Sequence, residues 1–154
     1  MTNPDQPDRV EYRIERAYEV TATPEQVWDA IATADGIAAW MVPTKLDPQI
    51  GGEVAFDLGD FTSIGVITDY TPNRRFAYEE PWPQMGDHDF SSVTALATEF
   101  LIESASGGSC VLRVVSSSYG RGADWEQEYF DQMAEGWFEM LDNVAAHLRK
   151  EREQ

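Results

Sequence analysis

Residues Ala123 to Lys150, ADWEQEYFDQMAEGWFEMLDNVAAHLRK, form one unbroken run of helical periodicity. Any fold of this chain must give that run a long surface to lie on. Trp125, Tyr129, Met133, Trp137, Leu141, Val144 and Leu148 recur at steps of three and four, the spacing of one helical face. Phe130, Phe138 and Met140 widen the face. At 1.5 Å per residue the helix would be roughly 40 Å long, enough to cross a whole sheet. Asp124, Glu126 and Glu128 near its start and Arg149 and Lys150 at its end suit the helix dipole. Gly136, mid-helix, costs roughly 1 kcal/mol against Ala. It therefore points to close packing or to room left for something bound.

What precedes the helix reads as strands. The length of 154 residues favours one domain, with residues 1–9 a flexible tail and residues 10–150 the folded unit. Val10 to Val20 alternates as a strand. Thr23-Pro24-Glu25-Gln26 is a helix start, with Thr at the N-cap, Pro at N1 and Gln at N3. Val27, Trp28, Ile31 and Ala34 make that helix's buried stripe. Asp35-Gly36 is expected to break it and to cap a second short helix, Ile37 to Met41. Strands follow at Glu53–Leu58, Phe61–Tyr70, Arg75–Glu80, Ser92–Ser104 and Ser109–Ser118. Turns are expected at Gly59-Asp60, Thr71-Pro72-Asn73 and Ala105 to Gly108. Strands joined by tight turns pair antiparallel, one face of the sheet needs cover, and the terminal helix is the element long enough to give it. The class is α+β: a curved antiparallel sheet of about six strands wrapped on a long C-terminal helix, with two short helices after the first strand. A cavity between sheet and helix follows from that layering.

Charge narrows the function classes. Twenty-eight acidic residues stand against 11 basic ones, a formal net charge of −17. Nucleic acid, which needs clustered Lys and Arg to displace counterions, is not an expected partner, nor is an anionic membrane surface. No run approaches 18 apolar residues, so no membrane span is expected. The first residues, MTNPDQPDRVEYR, have no apolar core of a secretory signal. Cys110 is the single cysteine, which fits a reducing compartment. Cytoplasm is the default expectation.

Four stretches resemble a known family. They are IERAYEVTATPEQVWDAIATADGIAAWM from Ile14 to Met41, GGEVAFD from Gly51, GVITDYTPNRRF from Gly65, and GWFEML from Gly136. Their order resembles the START-like, or helix-grip, superfamily (also called SRPBCC or birch-pollen-allergen-like). Within it they are similar to the C-terminal domain of the activator of heat-shock-protein-90 ATPase and its stand-alone bacterial homologues. The resemblance covers roughly residues 10–150. It implies the helix-grip fold and, from the family's name, a possible chaperone-ATPase partner. The sequence departs from the family where Tyr78-Glu79-Glu80-Pro81-Trp82 sets two acids beside the aromatics at a strand end.

Catalytic signatures are mostly missing. There is no H-E-x-x-H, no C-x-x-C and no phosphate-binding Gly loop. Gly107-Gly108-Ser109-Cys110-Val111 fails as a nucleophile elbow at its last position and lies in a hairpin. Asp87-His88-Asp89 reads either as a metal cluster or, as consecutive residues rarely converge on one ion, as an acidic loop. His147 suits a surface role near a helix end. Cys110 has no His placed to activate it and reads as a small core residue. Glu99 and Arg113 are candidates for a cross-strand pair. No catalytic residue, metal or cofactor is expected.

The strongest signal is bulk. Trp40, Met41, Tyr78, Trp82, Met85, Tyr119, Trp125, Tyr129, Met133 and Trp137, with Glu80 as a polar tip, suit either plain core packing or an apolar small-molecule cavity. Three functions are open. The preferred one is non-catalytic binding of a small hydrophobic or amphipathic ligand between sheet and helix. The second is a cyclase-, dehydratase- or hydrolase-like enzyme using Glu79 or Glu80 as acid/base with Tyr78 or Tyr129. The third is a chaperone-ATPase-interacting module. A homodimer is a possible assembly.

Overall fold

The computed structural model describes residues 10–81, 93–104 and 109–152, excepting the side chains of 149–152. Strand β1 (Val10–Val20) is followed by helices α1 (Pro24–Ala32) and α2 (Ala34–Trp40). Six strands come next: β2 (Thr44–Leu46), β3 (Glu53–Asp57), β4 (Thr62–Thr71), β5 (Arg75–Glu80), β6 (Leu96–Ser104) and β7 (Cys110–Gly120). Helix α3 (Asp124–Arg152) closes the chain. The strands make one antiparallel sheet in the order β1-β7-β6-β5-β4-β3-β2. This is the expected α+β helix-grip arrangement. The seventh strand is β2, an edge segment of three residues that is too short to show alternation in sequence. The tail 1–9 and the turn 105–108 lie outside the described residues.

The start of α1 is as the sequence predicts. Thr23 accepts the Gln26 N–H at 3.2 Å, and Gln26 accepts the Thr23 N–H at 2.9 Å, a reciprocal cap. The junction with α2 corrects the sequence reading. Thr33, not Asp35-Gly36, ends α1 and caps α2. Its hydroxyl donates to the Asp29 carbonyl at 2.7 Å and accepts the Gly36 N–H at 3.0 Å. Gly36 sits inside the first turn of α2, where a Cβ would stand 1.8 Å from the Asp29 carbonyl oxygen. It serves close helix packing rather than a break.

The solid part of the core lies between α1, α2, the last turns of α3 and the inner face of the sheet. Ile31, Ile37, Trp40, Phe76, Phe100, Leu112, Leu141, Val144 and Leu148 are all buried there. Trp28 meets the Tyr70 ring edge-on at 4.9 Å, and the Tyr70 hydroxyl donates to the Ala32 carbonyl at 2.9 Å. Together these contacts tie α1 to β4. On the outer face the strand register sets Arg113 opposite Leu101, with acids two residues to either side. Arg113 pairs with Glu15 at 2.8 Å and Glu103 at 3.3 Å, while Glu99 pairs with Arg75. The expected Glu99–Arg113 pair is therefore replaced by two separate surface clusters.

Helix α3 is held differently at its two ends. Toward the C-terminus Leu141, Val144 and Leu148 are packed into the core. Toward the N-terminus the buried row is Glu126, Phe130 and Ala134, one position round from the expected Trp125, Tyr129 and Met133. Periodicity misses this because Glu126 is a carboxylate with 0% exposure. It accepts the Tyr12 hydroxyl at 2.8 Å and the Gly122 N–H at 3.0 Å. Burial, then Glu126 itself, pushes the Tyr12 phenol up to about 12. Gly120 completes the seat, since a Cβ there would lie 2.3 Å from Glu126 Oε1.

Tyr12→Phe removes one donor from a buried acid. The expected cost is about 1–3 kcal/mol in denaturant unfolding, with the fold otherwise retained. An unchanged midpoint would show that this bond does not hold the helix start.

Candidate functional site

Between its two anchors α3 passes over a cavity of about 260 Å³. The helix contributes Phe130, Met133, Ala134, Gly136, Trp137 and Met140. The sheet side contributes Ile14, Phe56, Leu58, Leu96 and four polar residues, Ser63, Glu80, Thr98 and Ser116; Met41, just after α2, completes the lining. Alternation explains the sheet side. The inward row of β5 is Phe76, Tyr78 and Glu80, running from buried aromatic to carboxyl. On β6 Thr98 precedes the inward Phe100, and on β7 Ser116 follows the inward Val114. Thr98 and Ser116 face each other in register and their hydroxyls are 3.1 Å apart.

Glu80 is the charged group of the lining. Its Oε2 accepts the Ser63 hydroxyl at 2.6 Å. Burial pushes its carboxyl above the usual range, with the Ser63 bond opposing. Gly65 on the neighbouring strand lets the two backbones come close, since a Cβ there would lie 2.9 Å from the Glu79 carbonyl oxygen. Glu79, the other candidate acid, is exposed on the opposite side of the strand. Tyr78 lies deeper: burial first, then Glu80, pushes its phenol well above the ordinary value, and Thr98 hydrogen-bonds it.

Trp137 stands against Phe100, edge to face at 6.2 Å. Its indole Nε1 is buried and has no hydrogen-bond partner among the described residues. A buried donor left unmet costs about 1–3 kcal/mol. Gly136 is exposed and a Cβ there would meet nothing within 4 Å, so close packing is not its role.

The residues singled out from sequence divide into groups. Met41, Glu80, Met133 and Trp137 line the cavity. Trp40 and Tyr78 lie beneath it, beside a void of about 10 Å³; the Trp40 indole is already used, donating to the Ala30 carbonyl at 2.7 Å. Tyr119, Trp125 and Tyr129 are not among the described residues that line the cavity. Strand alternation puts Tyr119 on the outer face, where its hydroxyl donates to Glu11 at 3.1 Å. Trp125 and Tyr129 stack edge to face at 5.9 Å and pack by the Tyr12–Phe130 cluster. Trp82, Met85 and the Asp87-His88-Asp89 triplet fall outside the described residues. Cys110 is buried, its thiol donating to the Ala22 carbonyl at 3.1 Å and pushed up by burial. Sequence reasoning passed over Ser63, Thr98 and Ser116. Their signal was there: polar residues at inward positions of otherwise apolar strand rows.

The family model described as activator of Hsp90 ATPase homolog 1-like protein matches residues 21–149. Solved structures show the same fold. A Staphylococcus aureus protein of unknown function is 15% identical with a TM-score of 0.73, over 96% of this chain and 99% of that one. The Aha1 dimer from Colwellia psychrerythraea is 17% identical with a TM-score of 0.68, over 90% and 96%. CalU16 from Micromonospora echinospora is 18% identical with a TM-score of 0.67, over 92% and 83%. No curated protein matches the sequence. No described helix is long and apolar enough to cross a membrane.

Two outcomes follow from the site. Glu80 is held above its unfolded value, so the stability it contributes is present at low pH and lost as pH rises through its folded value. Glu80→Gln keeps an acceptor for Ser63 and removes the titration. Its melting temperature should equal that of the parent in acid and exceed it at neutral pH; a lower value at neutral pH would contradict this. Gly136→Ala gains about 1 kcal/mol of helix propensity without a clash, a rise of about 2–4 °C in melting temperature. A fall would mean the space at Gly136 is filled.

Proposed function

The chain belongs to the activator of Hsp90 ATPase homolog 1-like family, and on that footing we propose that it binds a small, mostly apolar molecule between sheet and helix. The observation that carries this is the cavity of about 260 Å³ under Met133, Gly136 and Trp137, where the helix could have packed solid. A cavity of about 150 Å³ takes benzene, so this one fits on the order of ten non-hydrogen atoms. At roughly 0.4–0.8 kcal/mol per atom the dissociation constant falls between about 1 mM and 1 μM. Met41, Met133 and Met140 let the walls adjust to ligand shape. The dimer seen in the Colwellia psychrerythraea neighbour supports a homodimer as the assembly.

A second reading has one observation in its favour. Glu80 reaches the cavity with a carboxyl raised by burial, which suits a proton donor in a cyclase-, dehydratase- or hydrolase-like reaction. On this reading Glu80→Gln abolishes turnover while binding persists.

Titration with 2-naphthol, followed by tryptophan fluorescence, tests the binding reading. Saturable binding is expected in the stated range. Ala134→Leu, which puts more carbon into the space, should weaken binding at least about tenfold, with the melting temperature showing that the variant folds. No saturable binding, or equal binding by Ala134→Leu, would overturn it.

A further inference from the structure

We infer that the molecule held in this cavity carries a protonated amine on an apolar body, its ammonium seated on Glu80. The inference rests on the cavity-binding reading and adds the ligand's charge to it.

Four observations converge. Among the described residues Glu80 has one hydrogen-bond partner, the neutral Ser63 hydroxyl on Oε2. No Lys, Arg or His is among the described lining residues, and no described cation forms an ion pair with Glu80. Glu80 is half-buried, and carboxylates withdrawn from water are normally paired because an uncompensated charge there is costly. Two of the described arginines are held in pairs on the outer face, Arg75 with Asp69 and Glu99, and Arg113 with Glu15 and Glu103.

The surroundings favour a cation over the other ways to satisfy Glu80. Phe56, Phe130 and Trp137 present aromatic rings to the same space, and ring faces attract ammonium groups. A net charge of −17 draws cations toward the protein and repels anions. A ligand carboxylate would meet Glu80 as a like charge. A ligand hydroxyl would give Glu80 a hydrogen bond but no counter-charge.

Calorimetry on the full chain at neutral pH with 2-phenylethylamine, 2-phenylethanol and phenylacetate separates these options. These probes share one apolar body and carry a cation, a neutral hydroxyl and an anion. The amine should bind at least about tenfold tighter than the alcohol, and the acid more weakly than the alcohol. Glu80→Gln should bring the amine to within about twofold of the alcohol. Equal binding of amine and alcohol, tightest binding of the acid, or an amine preference that survives in Glu80→Gln would overturn the inference. Failure of all three probes while 2-naphthol binds would also overturn it and leave the cavity reading standing. Failure of 2-naphthol as well would overturn both.

Discussion

A single buried carboxylate decides where the long helix starts. Glu126 is fully enclosed, and it is held by the Tyr12 hydroxyl from β1 and the Gly122 N–H from its own approach loop. Enclosing a carboxylate is unfavourable unless such bonds are made, so α3 has one position relative to β1 at that end. At the other end Leu141, Val144 and Leu148 lock it to the core by apolar burial. A helix fixed at two points does not need to pack in between. The turns from Phe130 to Met140 are free to bridge a space, and the cavity lies under them.

The sheet beneath is graded to match. Along β5 the inward residues pass from Phe76 through Tyr78 to Glu80, and the neighbouring strands add Ser63, Thr98 and Ser116 at the same end. Polar groups thus gather where the helix is not in contact, and apolar ones where it is. The hydroxyls satisfy one another, and Ser63 satisfies half of Glu80. What is left over among the described lining residues is one carboxyl oxygen of Glu80, beside the paired hydroxyls in an otherwise apolar wall. That pattern is typical of small-molecule sites, in which a few polar groups fix orientation.

Much of this was legible in the residues. The helix from Ala123, the Thr23-Pro24 cap and the alternating strands carry their own periodicity, and the architecture follows from them. The interior of the site was only half legible. Met133 and Trp137 were expected in the wall from their spacing, and they are there. Tyr119 was grouped with them by bulk alone, yet β7 turns it outward while its neighbours Ser118 and Gly120 face in. Glu126 reads in sequence only as an acid suited to the helix dipole, because its partner, Tyr12, is 114 residues away. Thr33 was passed over because Asp35-Gly36 is the louder break signal, although the Gly36 contact with Asp29 shows close packing. Each of these depends on pairing across the fold, which periodicity within one segment does not encode.

The central claim is that α3 bridges a real space. Crystals of the protein under xenon pressure test it most directly, since apolar cavities of this size admit xenon. The account predicts density for xenon, or for a molecule carried through purification, between Met133 and Trp137 on one side and Phe56 and Thr98 on the other. Side chains of Met133, Trp137 and Met140 packed directly against the sheet, with no density and no space between them, would contradict it.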